Sequence, residues 1–148
     1  MSTLGGLRMA VWQELGELLR AWRTRWFPPL TFGQRGERAA AKYLRRQGYI
    51  IVASGERGFL GEIDLVAVQY RTVVFVEVKT RSAHDSGHPA EAVDRDKQRR
   101  LTRAAAEYRR RHDLLETSAR FDVIAITWPA GKGKPVIEHY QNAFEATE

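Results

Sequence analysis

Residues 61–81 read GEIDLVAVQYRTVVFVEVKTR and carry two apolar stretches on either side of a short polar turn. Their density of Val, Ile and Phe predicts two β-strands, Glu62–Val68 and Thr72–Thr80, joined as an antiparallel hairpin through Gln69–Arg71. Such nearly continuous apolar runs are typical of central strands that are covered on both faces. This stretch therefore predicts the middle of a sheet.

Four charged residues interrupt these apolar strands, and burying a charge costs free energy unless the charge is paired or binds a metal ion. Strand alternation puts Glu62 with Asp64 on one face, and Glu77 with Lys79 on one face. Pairing the hairpin symmetrically about its turn places Asp64 opposite Glu77 and Glu62 opposite Lys79. The sequence thus predicts one patch that holds all four side chains.

Two facing carboxylates predict a cation beside them, because charges about 4 Å apart repel by roughly 4 kcal/mol at an effective dielectric near 20. Lys79 supplies part of the compensation, and the oxygen donors of Asp64 and Glu77 suit Mg²⁺ or Mn²⁺. Such an ion polarises a phosphoryl oxygen and lowers the pKa of a bound water molecule. Lys79 would orient that water or stabilise the developing negative charge. The pattern indicates phosphodiester hydrolysis.

Composition narrows the classes of protein that fit. The chain has 148 residues, which suits one domain with a short appendage, and 24 Lys and Arg against 18 Asp and Glu, a net charge of +6. An excess of this kind favours an anionic partner, either nucleic acid or an acidic membrane surface. The absence of Cys excludes disulfides, thiol catalysis and thiolate zinc sites. No apolar run is long enough to span a bilayer or to serve as a secretory signal, so we expect a cytoplasmic protein without a membrane span.

The remaining pattern supplies elements around the central hairpin. In chain order it predicts a helix over about 36–47, a strand over 49–53, a loop over 55–58, a mobile loop over 82–93, a helix over 94–111 with Asp94 as its N-cap, and strands over 121–128 and 136–140. This order predicts an α/β fold, a mixed central sheet flanked by helices. The helix before strand 121–128 allows that strand to return parallel to Thr72–Thr80.

An additional helix is predicted at the N-terminus, where residues 8–27 read RMAVWQELGELLRAWRTRWF and Pro28-Pro29 stops the pattern. The chain therefore divides into an amphipathic helix extension, residues 1–31, and a domain over 32–148. The helix could pack on its own domain, join two copies of the chain, or lie on a membrane surface.

Most of the positive charge lies in residues 94–111, where eight Lys and Arg stand against three acidic residues. This helix follows the Glu77-Val78-Lys79 strand, so its beginning could meet DNA phosphates close to the carboxylate patch. A basic helix face can equally be a solvated surface with no partner. The candidate phosphate contacts are Lys97 first, then Arg99, Arg100 and Arg103, with Arg81 at the end of the strand.

The spacing of Asp64, twelve further residues and then Glu77-Val78-Lys79 resembles the signature of the restriction-endonuclease-like, PD-(D/E)XK, nuclease superfamily. More closely, the chain resembles the YraN-like uncharacterised protein family, which is similar to archaeal Holliday-junction resolvases. The resemblance covers about residues 33–144 and rests on the runs GERAAAKYLRRQGY, GEIDLVA, VFVEVKTR, DKQRRL and FDVIAI.

The resemblance implies a restriction-endonuclease-like core and a role for each matching residue. Asp64 and Glu77 are implied as catalytic, metal-binding carboxylates, the Val78 carbonyl as a further metal ligand, and Lys79 as the catalytic lysine. Glu37 matches an acidic residue beside the metal, usually reached through water. The implied activity is a divalent-metal-dependent DNA endonuclease, directed at branched DNA in repair or recombination through backbone and shape. A homodimer is implied by analogy alone, with the N-terminal helix as a candidate contact.

Simpler interpretations stay open for the same residues. Asp64, Glu77 and Lys79 could form a structural ion cluster, or a degenerate site in a non-catalytic nucleic-acid-binding module. Glu37 could be a solvated helix residue. Glu62 is expected to pair with Lys79 and Asp122 with a nearby arginine.

Overall fold

The computed structural model describes residues 13, 16–18, 20–21, 28–85, 93–131 and 133–147. The chain forms two units, Met1–Thr31 and Phe32–Glu148. In the first unit, Arg20 Nε donates a hydrogen bond to the Gly16 carbonyl at 3.2 Å within helical residues. Most of the helix predicted over 8–27, and part of the loop predicted over 82–93, lies outside the described residues.

The second unit is an α/β domain whose single described sheet has the order β1-β2-β3-β4-β5. Neighbouring strands are antiparallel except for β3 and β4, which are parallel. This confirms the predicted mixed sheet with flanking helices and is consistent with a nuclease-like core. The elements are α1 (Phe32–Arg46), β1 (Ile50–Gly58), β2 (Gly61–Gln69), β3 (Thr72–Ser82), α2 (Arg95–Arg111), β4 (Ser118–Trp128) and β5 (Val136–Phe144).

Strand β1 is longer than predicted, because the expected loop over 55–58 is wrong. These residues continue β1 and pair with β2 as far as Gly58 opposite Gly61, so the turn is Phe59-Leu60. The segment lacks an apolar pattern, but sheet pairing satisfies backbone N–H and C=O groups whatever the side chains are. Gly55, at φ +59, takes a backbone conformation that most residues avoid.

The sheet is covered on both faces, as its apolar central strands predicted. Along β3, Val74 and Val76 pack on the α1 side, while Val73 and Phe75 pack on the α2 side. The α1 side contains Ala40, Ala41, Leu44, Leu65, Ala67, Ile124 and Ile126, and the α2 side contains Ile63, Val66, Leu101, Ala104, Ala105, Tyr108 and Phe121. The small alanines let each helix approach the sheet closely.

Helix α1 approaches β3 closely at Gly36. A Cβ atom built there would overlap the Oγ1 atom of Thr80 on β3. Only glycine allows this approach without a shift of the helix or the strand. The contact sets the depth at which the next residue, Glu37, is held beside β3.

Asp122 on β4 is fully buried and is held by hydrogen bonds from three residues on β4 and β5. Arg120 Nε and His139 Nε2 each lie 2.9 Å from its carboxylate oxygens, and the Asn142 backbone N–H donates at 3.0 Å. Burial opposes ionisation, but the hydrogen bonds from His139 and Arg120 hold the pKa of Asp122 below its usual value. The predicted pairing with an arginine is confirmed, and the network joins β4 to β5.

Candidate metal and nucleic-acid site

The candidate site forms where β2 and β3 separate. Their ladder runs from Gln69 opposite Thr72 to Leu65 opposite Val76, in the predicted register. Beyond it, β2 continues to pair with β1 and β3 continues to pair with β4. Asp64 and Glu77 are the next residues along the two strands, so both lie at the fork.

The Asp64 side chain accepts a backbone hydrogen bond from β3 just beyond the end of the β2–β3 ladder. Its Oδ2 accepts a hydrogen bond from the Val78 backbone N–H at 2.8 Å. The alternation of β2 side chains between the two faces of the sheet is interrupted around Asp64. Ile63 and Val66 are three residues apart, yet both pack in the α2-side core. One carboxylate oxygen therefore anchors Asp64 to the strand that carries Glu77.

Glu77 is 2% exposed and has two carboxylate oxygens in different situations. Its Oε1 lies 3.3 Å from Lys79 Nζ and 2.9 Å from Lys97 Nζ. Its Oε2 is buried and has no hydrogen-bond partner among the residues that the structure describes. A buried carboxylate oxygen without a donor is costly, which makes Oε2 a free ligand atom for a cation.

The ionisation of the neighbouring carboxyl groups reflects this crowding of negative charge. Burial first, and then repulsion from Glu77, raises the pKa of Asp64 to about 7. Burial and the charges of Glu62 and Glu77 also raise the pKa of Glu37. Glu37, Asp64 and Glu77 therefore lie within electrostatic reach of one another, as one acidic cluster.

Lys97 enters the site from the first turn of α2. Asp94 is the N-cap of that helix and accepts a hydrogen bond from the Lys97 backbone N–H at 2.8 Å. Burial lowers the pKa of the Lys97 ammonium, but the hydrogen bond and charge of Glu77 outweigh it and raise that pKa overall. The sequence predicted Lys97 as a phosphate contact. It did not predict the ion pair of Lys97 with the buried Glu77 carboxylate, because only tertiary packing brings α2 onto β3.

The predicted pairing of Glu62 with Lys79 is wrong. Glu62 is exposed and pairs with Arg57 of β1 at 3.4 Å. The prediction extended the β2–β3 ladder past Leu65, where the two strands have already separated. Lys79 is left with Glu77 as its partner, on its own strand.

The arginines of α2 divide into two groups along the helix. At its C-terminal end, Arg111 pairs with Glu56 at 2.7 Å, and Arg109 donates to the carbonyls of Leu114, Leu115 and Thr117. These two residues connect α2 to β1 and to the segment that follows the helix. Nearer the site, Arg100 and Arg103 are exposed and Arg99 pairs with Asp96 at 3.2 Å, while Arg81 is half-buried on β3. The basic surface is therefore smaller than the charge of the whole helix suggested.

Comparison with known proteins identifies the relatives of this chain. Residues 36–126, from α1 to β4, match the model of the Uncharacterised protein family UPF0102. The chain belongs to the UPF0102 family. A UPF0102 protein of Rhodopirellula baltica is 50% identical over 117 residues, 77% of this chain and 70% of the relative. A UPF0102 protein of Geobacter sulfurreducens is 48% identical over 113 residues, 76% of this chain and 88% of the relative.

The UPF0102 match confirms the predicted YraN-like membership and covers the whole fork of β2 and β3. The names of these relatives give a family and no reaction. Across the ranges that the structure describes, no helix is both long and apolar enough to cross a membrane.

At the fork of β2 and β3, the described donors that could hold a metal ion are all oxygen atoms. Within the described parts of the chain, no three His, Asp or Glu side chains form a ready metal-binding group. The fork offers the carboxylates of Asp64 and Glu77, with the Val78 carbonyl next to Glu77 in the chain. Mg²⁺ is commonly bound through one or two carboxylates with water completing its shell. The partnerless Oε2 of Glu77 fits such an ion.

Proposed function

We propose that this UPF0102 protein is a divalent-metal-dependent DNA endonuclease that hydrolyses phosphodiester bonds. One observation carries the proposal: a buried glutamate oxygen that has no hydrogen-bond partner within the described ranges lies beside a second carboxyl group whose pKa is raised to about 7. Groups with strongly shifted pKa values that have a specific charge partner are common at functional sites. An oxygen-only donor set at a strand fork suits Mg²⁺ or Mn²⁺.

Each residue of the fork has a distinct part in this proposal. Asp64 and Glu77 would hold the ion with the Val78 carbonyl, and Glu37 would reach it through water. When bound, the ion supplies Lewis-acid polarisation of a phosphoryl oxygen and a water molecule of lowered pKa. The Lys79 ammonium, 3.3 Å from Glu77 Oε1, orients the attacking water or stabilises negative charge on the phosphate.

Nucleic acid would lie along the beginning of α2. Lys97 neutralises Glu77 in this structure, and its ammonium can turn to a phosphate oxygen once a cation has taken over that neutralisation. Arg100 and Arg103 are exposed on the same helix, and Arg99 and Arg81 complete the proposed set of phosphate contacts. Phosphate contacts position a duplex without reading its sequence, so we expect preference to come from shape, including branched DNA.

Cleavage of defined DNA substrates tests the proposal directly. Labelled duplex, flap and four-way-junction DNA are incubated with the purified chain in Mg²⁺, in Mn²⁺ and in EDTA. We expect cleavage with either metal and none in EDTA. Glu77→Gln and Lys79→Ala should each lose at least about a hundredfold in cleavage rate, because the first removes a proposed ligand of the ion and the second removes the ammonium that contacts the water or phosphate. Glu116→Gln changes an exposed glutamate far along the chain and is the matched control. Cleavage by Glu77→Gln at the wild-type rate would contradict the proposal.

A non-catalytic nucleic-acid-binding module is the second candidate function. It is favoured by the way Lys79 and Lys97 together already neutralise Glu77 through one oxygen, which leaves less need for a metal. The two candidates differ in their response to divalent metal. A binding module would show no cleavage with any divalent metal and no metal-dependent rise in its thermal midpoint.

The homodimer and the cytoplasmic location remain predictions. Light scattering of the full chain and of a chain lacking residues 1–31 tests the dimer. If the N-terminal helix joins two copies, the full chain has twice the monomer mass and the shortened chain has the monomer mass. A monomer in both cases would reject that role for the helix.

A further inference from the structure

The turn between β1 and β2 presents two apolar side chains to solvent. Phe59 is 102% exposed and Leu60 is 43% exposed. They occupy the two positions of a tight turn between Gly58 and Gly61, which are paired across the hairpin. A fully exposed aromatic side chain at the tip of a hairpin is available for contact with a partner.

The turn is held firmly although its side chains are exposed. The Glu107 carboxylate on α2 accepts hydrogen bonds from the backbone N–H groups of Phe59, at 3.2 Å, and Leu60, at 3.0 Å. These bonds, from Leu60 first, keep the pKa of Glu107 below its usual value. One carboxylate thus fixes both residues of the tip to the helix.

The two glycines of the turn make this attachment possible. A Cβ atom at Gly58 would lie 2.5 Å from the Glu107 carboxylate, and Gly61 has φ +149 and passes close to Ala104. Further along, Glu56 pairs with Arg111. The hairpin therefore lies along one side of α2, and Phe59 points away from a supported backbone.

The surroundings of the tip carry arginines together with the acidic Glu62 and Glu107. Arg57 of β1 precedes the turn with a 79% exposed side chain and pairs with Glu62 at 3.4 Å, while Arg100 and Arg103 are exposed on the adjacent helix. Phe59 precedes Asp64 by five residues, which corresponds to at most about 17 Å along an extended chain. An exposed aromatic ring on a segment that also carries an exposed arginine, within a few nucleotides of the metal-binding fork, matches the pattern of proteins that stack on unpaired bases.

We propose that Phe59 stacks on an unpaired base of gapped, bulged or branched DNA, while Arg57 and Arg100 contact the flanking phosphates. The inference rests on the proposed nucleic-acid function and names its substrate class as DNA that contains an unstacked base. Every base has a π-face, so this contact would recognise an unpaired position in any sequence. Paired duplex offers no free base and would gain little from Phe59.

Binding in EDTA tests the inference apart from cleavage. Fluorescence anisotropy compares a labelled duplex that has a central three-nucleotide bulge with the fully paired duplex. Phe59→Ala should weaken binding of the bulged DNA roughly tenfold and of the paired duplex less than about twofold. Phe59→Trp should bind the bulged DNA as tightly as the wild type, because the ring is kept. A 2-aminopurine in the bulge should be quenched by the wild type and not by Phe59→Ala.

The chain provides a matched control at the other end of β2. Tyr70 is 94% exposed in the turn between β2 and β3, and Tyr70→Ala should bind both DNAs as the wild type does. Equal affinity of Phe59→Ala and wild type for the bulged DNA would overturn the inference. An equal loss of affinity for both DNAs in Phe59→Ala would also overturn it. So would a lower oligomeric mass of Phe59→Ala than of the wild type, or binding of the protein to anionic vesicles that depends on Phe59.

Failure of this inference and failure of the nuclease proposal give different results. If Phe59 stacks on DNA but no metal supports cleavage, only the nuclease proposal fails. If Glu77→Gln abolishes cleavage while Phe59→Ala binds bulged DNA normally, only the stacking inference fails.

Discussion

Lys97 Nζ, on the first turn of α2, lies 2.9 Å from Oε1 of the buried Glu77 on β3. The contact joins the basic helix to the acidic fork of the sheet. Because a buried carboxylate is unstable without a cation, the ammonium contributes to the stability of the metal-free protein. It also occupies one of the two oxygens that a divalent ion would use.

Lys97→Met should lower the free energy of unfolding in EDTA by on the order of 1–2 kcal/mol. This is less than the loss of a fully buried partner costs, because Lys79 still faces Glu77 and Lys97 is partly exposed. Urea unfolding measures the change. In a Glu77→Gln background the same substitution should cost almost nothing, so the double-mutant cycle reports the coupling. Additive effects of the two changes would contradict a direct pair.

The raised pKa of Asp64, about 7 in the folded chain against 3.8 as a reference, predicts a specific pH dependence. Between these values the folded protein retains a proton that the unfolded chain has released. Its stability therefore falls as pH rises from about 4 to 7, by at most about 1.4 kcal/mol per pH unit, and does not fall further above 7. Asp64→Asn should remove this loss, and its advantage over the wild type should grow across that window.

Urea unfolding in EDTA at pH 5, 6, 7 and 8 measures this difference. Asp85→Asn is the matched control, because Asp85 also accepts a backbone N–H, that of Ser82 at 2.7 Å, but is exposed. A growing advantage of the same size in Asp85→Asn would contradict the assignment to Asp64. With Mg²⁺ present the sign should reverse for the wild type, since binding of the ion requires ionised Asp64 and strengthens with pH.

Gly36→Ala should destabilise the domain by about 1–3 kcal/mol, because its Cβ overlaps Thr80 Oγ1 and forces α1 away from β3. Glu37 moves with the helix. At a temperature where the variant is still folded, metal-dependent cleavage should therefore fall by more than the unfolded fraction of the protein accounts for. Gly16→Ala is the control, since a Cβ there meets no atom of the described residues within 4 Å. Equal stability of Gly36→Ala and the wild type in urea would show that the helix can shift freely.

Glu107→Ala should loosen the β1–β2 turn, because the amides of Phe59 and Leu60 lose their acceptor. Hydrogen exchange at those two amides should become roughly tenfold faster, with the strands on either side unchanged. Arg110→Ala, an exposed change on the same helix, should leave both rates as they are. Unchanged exchange in Glu107→Ala would mean that the hairpin is rigid by itself.

The central hairpin shows how far local patterns reach in this chain. The apolar strands on either side of Tyr70-Arg71 predict the observed register, with Val68 opposite Val73, because register is specified wherever side chains on each face must be buried. The same reasoning failed at Glu62, since it assumed that the ladder continues past Leu65. Where β2 turns to follow β1 alone, no local pattern marks the separation.

The sequence by itself determined the helices and strands of the domain except for the length of β1, the burial of β2 and β3 on both faces, and the presence of two carboxylates and a lysine in otherwise apolar strands, because spacing and hydrophobic period are local properties of a chain. It also determined UPF0102 membership, which is carried by linear runs of residues. Tertiary structure alone decided that Lys97 pairs with Glu77 and that Glu107 fixes the Phe59 turn. It also leaves Glu77 Oε2 without a partner in the part of the chain that the structure describes. The two contacts join residues 20 and 48 positions apart, and only packing of α2 against the sheet brings such distant groups within hydrogen-bond distance.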